Sequence, residues 1–257
     1  MTWIDKARAK YPLPVEEEGL LVNVVLASVL LTLLAAMACS MMLSVLQGAN
    51  LWDALTFSWA AGIADALKVG WPWSLALGAG LGAVLLAVNA LGERAILHGP
   101  RDEWRESLLE MREGLNGELP RVAAWKTPLL MLAVAAVEET GFRYAVIGVV
   151  MVVAEPAVGF LPAAVVAVGA SAAVFAVMHF QYRGYATVLV GVLGLLLGIA
   201  YIATGALLAV IVAHWIYDAG VVFNEARKMT RDPHYFPDGN APENAVEEEL
   251  QRATSGE

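Results

Sequence analysis

Apolar residues run along this chain in blocks rather than at the intervals of a half-buried helix or strand. Leu, Ala, Val and Gly fill two long stretches, roughly 20–98 and 127–224, while charged residues gather at 1–18, 93–126 and 225–257. A bilayer core of ~30 Å takes about 20 apolar residues per helix. Six stretches reach that length: Leu20–Leu46, Trp73–Leu97, Pro128–Ala154, Phe160–Phe180, Tyr185–Ala203 and Ala206–Phe223. The pattern predicts an all-α, polytopic membrane protein with about six transmembrane helices.

Two further segments are helical in pattern without being spans. Leu51–Val69 is apolar enough to cross, but counting it would place the Arg-rich segment that follows on the opposite side, so it reads as interfacial or re-entrant. Residues 101–119 put Trp104, Leu108, Met111, Leu115 and Leu119 on one stripe with Arg and Glu elsewhere, as a helix lying on the membrane surface does. After Thr230 the chain becomes rich in Pro, Gly and Glu, and an acidic tail over 225–257 without packed structure is expected.

Composition agrees with the pattern. The chain has 257 residues, 59% hydrophobic and 16% charged, and a mean hydropathy of +0.63. These values exclude a soluble enzyme and a nucleic-acid binder, and the single Cys39 excludes a disulfide scaffold. No cleaved leader is expected, because residues 1–18 carry Asp5, Lys6, Arg8, Lys10 and Glu16 to Glu18, and the apolar run that follows is too long for one.

Charge sets the orientation. The N-terminus, the segment between the second and third spans, the segment between the fourth and fifth, and the tail together hold 14 of the 16 Lys and Arg. Only Lys68 lies on the other side and Arg143 lies within a span. Six helices with both termini in the cytoplasm, in the cell inner membrane, satisfy the positive-inside rule.

Between Thr127 and Asn224 the charged residues are Glu138, Glu139, Arg143, Glu155, Arg183 and Asp218, and the histidines are His179 and His214. Glu155 and Arg183 fall at span ends. The others lie within spans, where each charge costs about 2.5–3.5 kcal/mol on insertion scales, so Glu138 and Glu139 together oppose insertion by roughly 5–7 kcal/mol. They persist only if they face a protein interior or a wet cavity. Residues four apart share a helix face, which lets Glu139 pair with Arg143, Phe175 sit one turn before His179, and His214 sit one turn before Asp218. Glu138, turned by about 100° from Glu139, is free to face another helix. Singly, each pair has an ordinary structural reading as a packing lock or a core contact. Their clustering in three spans carries the signal, because a carboxylate, two imidazoles and an aspartate brought together can activate water and stabilise an oxyanion.

Four kinds of intramembrane peptide hydrolysis leave different residues. An H-E-x-x-H zinc site is absent, and an aspartyl pair is excluded because Asp218 is the only membrane aspartate among the candidates. Gly169-Ala170-Ser171-Ala172 with His214 only approximates a rhomboid-like serine element, and it leaves Glu138, Glu139, Arg143 and His179 unused. Small residues such as Ser171 in a span usually serve packing. The fourth pattern matches: Glu138-Glu139-Thr140-Gly141-Phe142-Arg143 is E-E-x-x-x-R, Phe175 to His179 is F-x-x-x-H, and His214 to Asp218 is H-x-x-x-D.

In this order the three motifs resemble the CPBP family, the CAAX proteases and bacteriocin-processing (Abi) enzymes, over about residues 127–224. The resemblance implies a four-helix catalytic core preceded by membrane and amphipathic segments over 1–126. It implies an intramembrane endopeptidase acting on a membrane-tethered or lipidated protein or peptide. Glu138 and His179 would bind and activate the hydrolytic water, His214 and Asp218 would form the oxyanion pocket, and Glu139 and Arg143 would orient the site with Phe175 in support. The family often carries Asn at the position of Asp218. A carboxylate donates no hydrogen bond unless protonated, which favours an orienting role toward His214. Glu138, His179 and His214 would suit a divalent metal such as zinc, and a metal-free, glutamate-activated water would use the same residues. Two other classes of function accommodate intramembrane charges: a non-catalytic scaffold or bacteriocin immunity protein of the same fold, and a proton-coupled transporter. The transporter class predicts inverted repeats, and no repeat is visible in the sequence.

Overall fold

The computed structural model describes residues 2–100, 103, 104, 106, 108, 115–179, 185–231 and 235. Among them the chain is helical and holds no strand. In order the helices are α1 (Trp3–Lys10), α2 (Val15–Leu46), α3 (Leu51–Leu55), α4 (Ser58–Lys68), α5 (Trp73–Leu97), α6 (Leu115–Glu118), α7 (Lys126–Val158), α8 (Phe160–Met178), α9 (Tyr185–Thr204) and α10 (Leu207–Arg231). Six of them, α2, α5 and α7 to α10, are long and apolar enough to cross a bilayer, and they coincide with the six stretches read from the sequence. Their outward faces carry exposed Leu30, Leu31, Leu34, Val165, Val166 and Ile199, an apolar girdle that a water-soluble protein would not present.

Leu51–Val69 is not a span. It breaks at Phe57, which adopts a left-handed φ of 70°, and α4 with its 11 residues is only ~16 Å long at ~1.5 Å per residue. The short helix turns inward: Ile63, Ala66 and Leu67 pack against the cluster of Leu85, Leu197, Leu207 and Val210. Of the surface stripe expected over 101–119, Trp104 and Leu108 pack into this same cluster, and much of the segment lies outside the described residues. Residues 225–231 of the expected tail are the last turns of α10, and beyond them only Tyr235 is among the described residues; it is buried and donates its hydroxyl to Glu225 at 2.7 Å.

Close approach between spans rests on glycine. A Cβ at Gly78 would stand 2.6 Å from the Ala209 carbonyl oxygen and one at Gly82 would stand 2.9 Å from Ile216 Cβ, so α5 lies directly on α10. Gly194 and Gly198 do the same for α9, where a Cβ would meet Ala172 Cα at 3.3 Å and Val168 Cγ1 at 3.1 Å on α8. In a membrane such small residues let backbones approach and gain van der Waals contact where no hydrophobic drive exists. α10 is further tied to α7 by the Trp215 indole, whose Nε1–H donates to the Pro128 carbonyl at 2.8 Å.

The charged ends of these helices meet at one end of the bundle. Glu18 at the start of α2 receives Arg8 at 2.9 Å and Lys126 at 2.6 Å. Lys228 on α10 bridges Glu93 on α5 at 2.7 Å and Glu225 at 2.6 Å. α1 begins with a capping box between Thr2 and Asp5, which satisfies amide groups that helix geometry leaves open. It docks on the end of α10, where Lys10 Nζ donates to the Met229 carbonyl at 2.8 Å. Arg121 is buried and donates to the carbonyls of Tyr11 at 3.1 Å and Pro12 at 2.9 Å, holding the link between α1 and α2.

Candidate active site

α7 carries two of the three acids of the site. It is α-helical from Lys126 to Glu139, then widens into a π-helix over Thr140–Ile147 and returns to α-helix from Gly148. Widened turns of this kind recur at functional sites. The widened stretch is braced on both sides. Ser171 on α8 is fully buried and donates its hydroxyl to the Phe142 carbonyl at 2.9 Å, and Gly141 sits against Ala36 of α2. Ser171 is thereby a packing and hydrogen-bonding residue of the helix seam.

Glu139 and Arg143 are both 0% exposed, and the Arg143 Nε lies 3.1 Å from Glu139 Oε2. A buried charge without a partner is costly, and here the two occur together as their spacing predicts. Arg143 also stands over the Phe175 ring, with Cζ 4.7 Å from the centroid, while its Nη1 and Nη2 find no hydrogen-bond acceptor among the described residues. The ring face partly offsets the guanidinium charge.

His214 comes from α10. Its Nδ1–H donates to Glu139 Oε1 at 2.8 Å, a contact the linear spacing did not indicate. That bond leaves Nε2 facing Asp218 Oδ2 at 3.4 Å and Glu138 Oε2 at 3.8 Å. Glu138 and Glu139 therefore point in different directions. Glu139 is locked between Arg143 and His214, while Glu138 lines a small cavity beside α2 and its Oε2 is buried with no hydrogen bond.

His179 closes α8. The helix ends at Met178, and the His179 Nδ1–H donates to the Phe175 carbonyl at 2.8 Å. A carbonyl can only accept, so the neutral ring carries its lone pair on Nε2. Counting residues from Arg183 places His179 too near the membrane surface to join the glutamates. The ring contacts place it otherwise: Phe175 lies 4.6 Å from His179 and 6.0 Å from His214, centroid to centroid, and 5.1 Å from Phe142. Phe175 is thus an aromatic hub touching rings or charges from α7, α8 and α10.

Among the described residues no three His, Cys, Asp or Glu side chains converge as a metal-ligand group.

The comparisons with known proteins bear on this core. Residues 120–220 match the family model described as type II CAAX prenyl endopeptidase Rce1-like. The motif-bearing stretch is similar to that family. No curated protein and no solved structure matches the chain. The matched stretch takes in all three motifs and most of α7 to α10, while α1 to α5 lie outside it.

Polar residues outside the matched stretch also reach this core. Asn89 on α5 is buried, its Oδ1 accepts from the Tyr217 hydroxyl at 3.2 Å, and its Nδ2 donates to Glu93 at 3.1 Å. A lone Asn in the middle of an apolar span was the available signal, and the sequence reading passed over it because Asn carries no charge.

Proposed function

We propose that the protein hydrolyses peptide bonds of membrane-tethered or lipidated substrates with a water activated by Glu138. The observation that carries this reading is the division of labour between adjacent carboxylates. Glu139 is committed to Arg143 and His214, while Glu138 has a buried oxygen with no hydrogen bond, 3.8 Å from His214. A general base needs an uncommitted lone pair within reach of the water.

Glu138 takes a proton from water as the water oxygen adds to the scissile carbonyl carbon. The carbonyl oxygen becomes an oxyanion, the C–N bond then breaks, and the leaving nitrogen receives the proton from Glu138. His179, whose Nδ1 is anchored to the Phe175 carbonyl, offers Nε2 to the water. His214, when protonated on Nε2, faces the oxyanion, and Asp218 holds that ring. An unprotonated carboxylate cannot stabilise an oxyanion directly, so Asp218 orients and does not donate. Both termini on the cytoplasmic side, as the Lys and Arg distribution predicts, would place the charged end of the bundle and the shorter route to Glu138 toward the cytoplasm.

The test is cleavage of a fluorogenic, C-terminally farnesylated CAAX peptide by purified protein in liposomes. Native protein should release the C-terminal tripeptide, and Glu138→Gln and His179→Ala should abolish release. Full activity in both variants would sink the mechanism. No cleavage by the native protein would favour a non-catalytic scaffold.

A further inference from the structure

α2 lies outside the stretch that matches the family model, yet it covers Glu138. Ser28, Thr32, Ala36, Ser40 and Leu43 fall on one face of this helix at spacings of three and four. Two contacts set the register of that face on α7. A Cβ at Gly141 would stand 3.3 Å from Ala36 Cβ, and one at Gly148 would stand 2.7 Å from Leu43 Cδ2. Toward the charged end of the bundle, the same face brings Ser28, Val29 and Thr32 against Val134, Val137 and Glu138 around a cavity of about 10 Å³. A cavity needs roughly 10–15 Å³ by this measure to hold one water.

Ser28 and Thr32 are the only hydroxyl residues of α2 between Leu20 and Met37, in a run otherwise made of Leu, Val, Ala, Met and Asn23. Both line the cavity that Glu138 also lines. A carboxylate that lines a buried cavity needs donors, and a water shared with hydroxyls across the seam supplies one. Val29, Val134 and Val137 supply no hydrogen-bonding side chain, so Ser28 and Thr32 are the polar partners available on the α2 side.

We propose that Ser28 and Thr32 are positioning residues for the water that Glu138 activates. Their hydroxyl oxygens accept one of the water's O–H groups while Glu138 accepts the other. The lone pairs of the water oxygen are then directed away from both, toward the peptide carbonyl. The first span thereby takes part in the chemistry of a core that the family match confines to the later helices. This rests on the proposed role of Glu138.

The experiment is steady-state kinetics of the full-length protein in liposomes on the farnesylated CAAX peptide, with infrared measurement of the Glu138 carboxyl band. The band is assigned by difference against Glu138→Gln. Ser28→Ala combined with Thr32→Val should lower kcat at least tenfold with KM within twofold, and should move the carboxyl band. Thr32→Ser, which keeps the hydroxyl, should retain kcat, and all variants should unfold at the native temperature. Unchanged kcat with an unmoved band in the double variant overturns the proposal while leaving Glu138 as base. Equal losses in Thr32→Ser and Thr32→Val also overturn it, since shape and not the hydroxyl would then matter. Full activity of Glu138→Gln, or an inactive native protein, overturns both readings together.

Discussion

The Nδ1–H of His214 donates to Glu139 Oε1 across 2.8 Å, joining α10 to α7 inside the bundle. Because the other oxygen of Glu139 faces Arg143 at 3.1 Å, one carboxylate holds side chains from two helices. Glu139 is the keystone of the motif cluster, and its loss should be felt first as lost stability.

Glu139→Ala leaves the Arg143 guanidinium buried without its counter-charge, which costs about 3–5 kcal/mol. Glu139→Gln keeps an oxygen for His214 and should lose less. Thermal unfolding in detergent should rank native above Gln and Gln above Ala. Equal midpoints for the three proteins would contradict the keystone role.

Glu138→Gln should behave in the opposite way. Glu138 Oε2 makes no hydrogen bond, so the unfolding temperature should hardly change. Peptide cleavage should fall by ~10²–10⁴-fold, the range for loss of a general base. Parallel stability and turnover measurements separate this variant from Glu139→Gln.

Helix approach gives a third test. A methyl group at Gly78 would press on the Ala209 carbonyl, whereas nothing lies within 4 Å of a Cβ at Gly80. Gly78→Ala should force α5 off α10 and destabilise by about 1–3 kcal/mol. Gly80→Ala, two residues away on the open face, should be neutral or slightly stabilising, since Ala favours helix over Gly by roughly 0.8–1 kcal/mol. Unfolding of the two variants side by side decides the point.

Arg121→Ala should free the N-terminal arm, because Arg121 donates to the carbonyls of Tyr11 and Pro12. The expected outcome is faster protease cleavage between α1 and α2, read by mass spectrometry, with the spans intact. Unaltered cleavage there would assign the clamp to the Arg8–Glu18–Lys126 group instead.

Burial pushes the Glu118 carboxyl above its ordinary value of 4.5, against the opposing pull of Arg121. The folded state therefore holds this proton more tightly than the unfolded chain. The resulting stabilisation is present below about pH 4.5 and is lost as pH rises through the elevated value. Glu118→Gln should unfold at a temperature that rises relative to native as pH goes from 4 to 7. A constant difference across that range would remove Glu118 from the account.

The spans and the pairings within each helix were legible because they depend on composition and on 3.6-residue geometry alone. Glu139 with Arg143, Phe175 with His179 and His214 with Asp218 all follow from a spacing of four. The bond from His214 to Glu139 was not legible, since it links residues 75 apart and depends on how two helices rotate. The break at Phe57, the docking of α1 on α10 and the π-helical stretch also lie beyond periodicity. Asn89 and the hydroxyls of Ser28 and Thr32 were overlooked for a different reason. A search for charges in apolar spans does not register neutral polar groups, though these too must find partners where water is scarce.

The widened turn at Thr140–Ile147 makes α7 two helices in series with independent phase. Upstream, Glu138 and Glu139 are aimed at α2 and α10, and downstream Gly148 is aimed at Leu43 of α2. A single deletion inside those eight residues would shorten the span by only ~1.5 Å, which a bilayer absorbs. It would, however, turn one half against the other by about 100°, so that either the acids or the packing glycines face the wrong neighbour. Length is therefore negotiable in this helix and residue count is not, which makes the segment intolerant of insertions and deletions even where individual side chains can be exchanged.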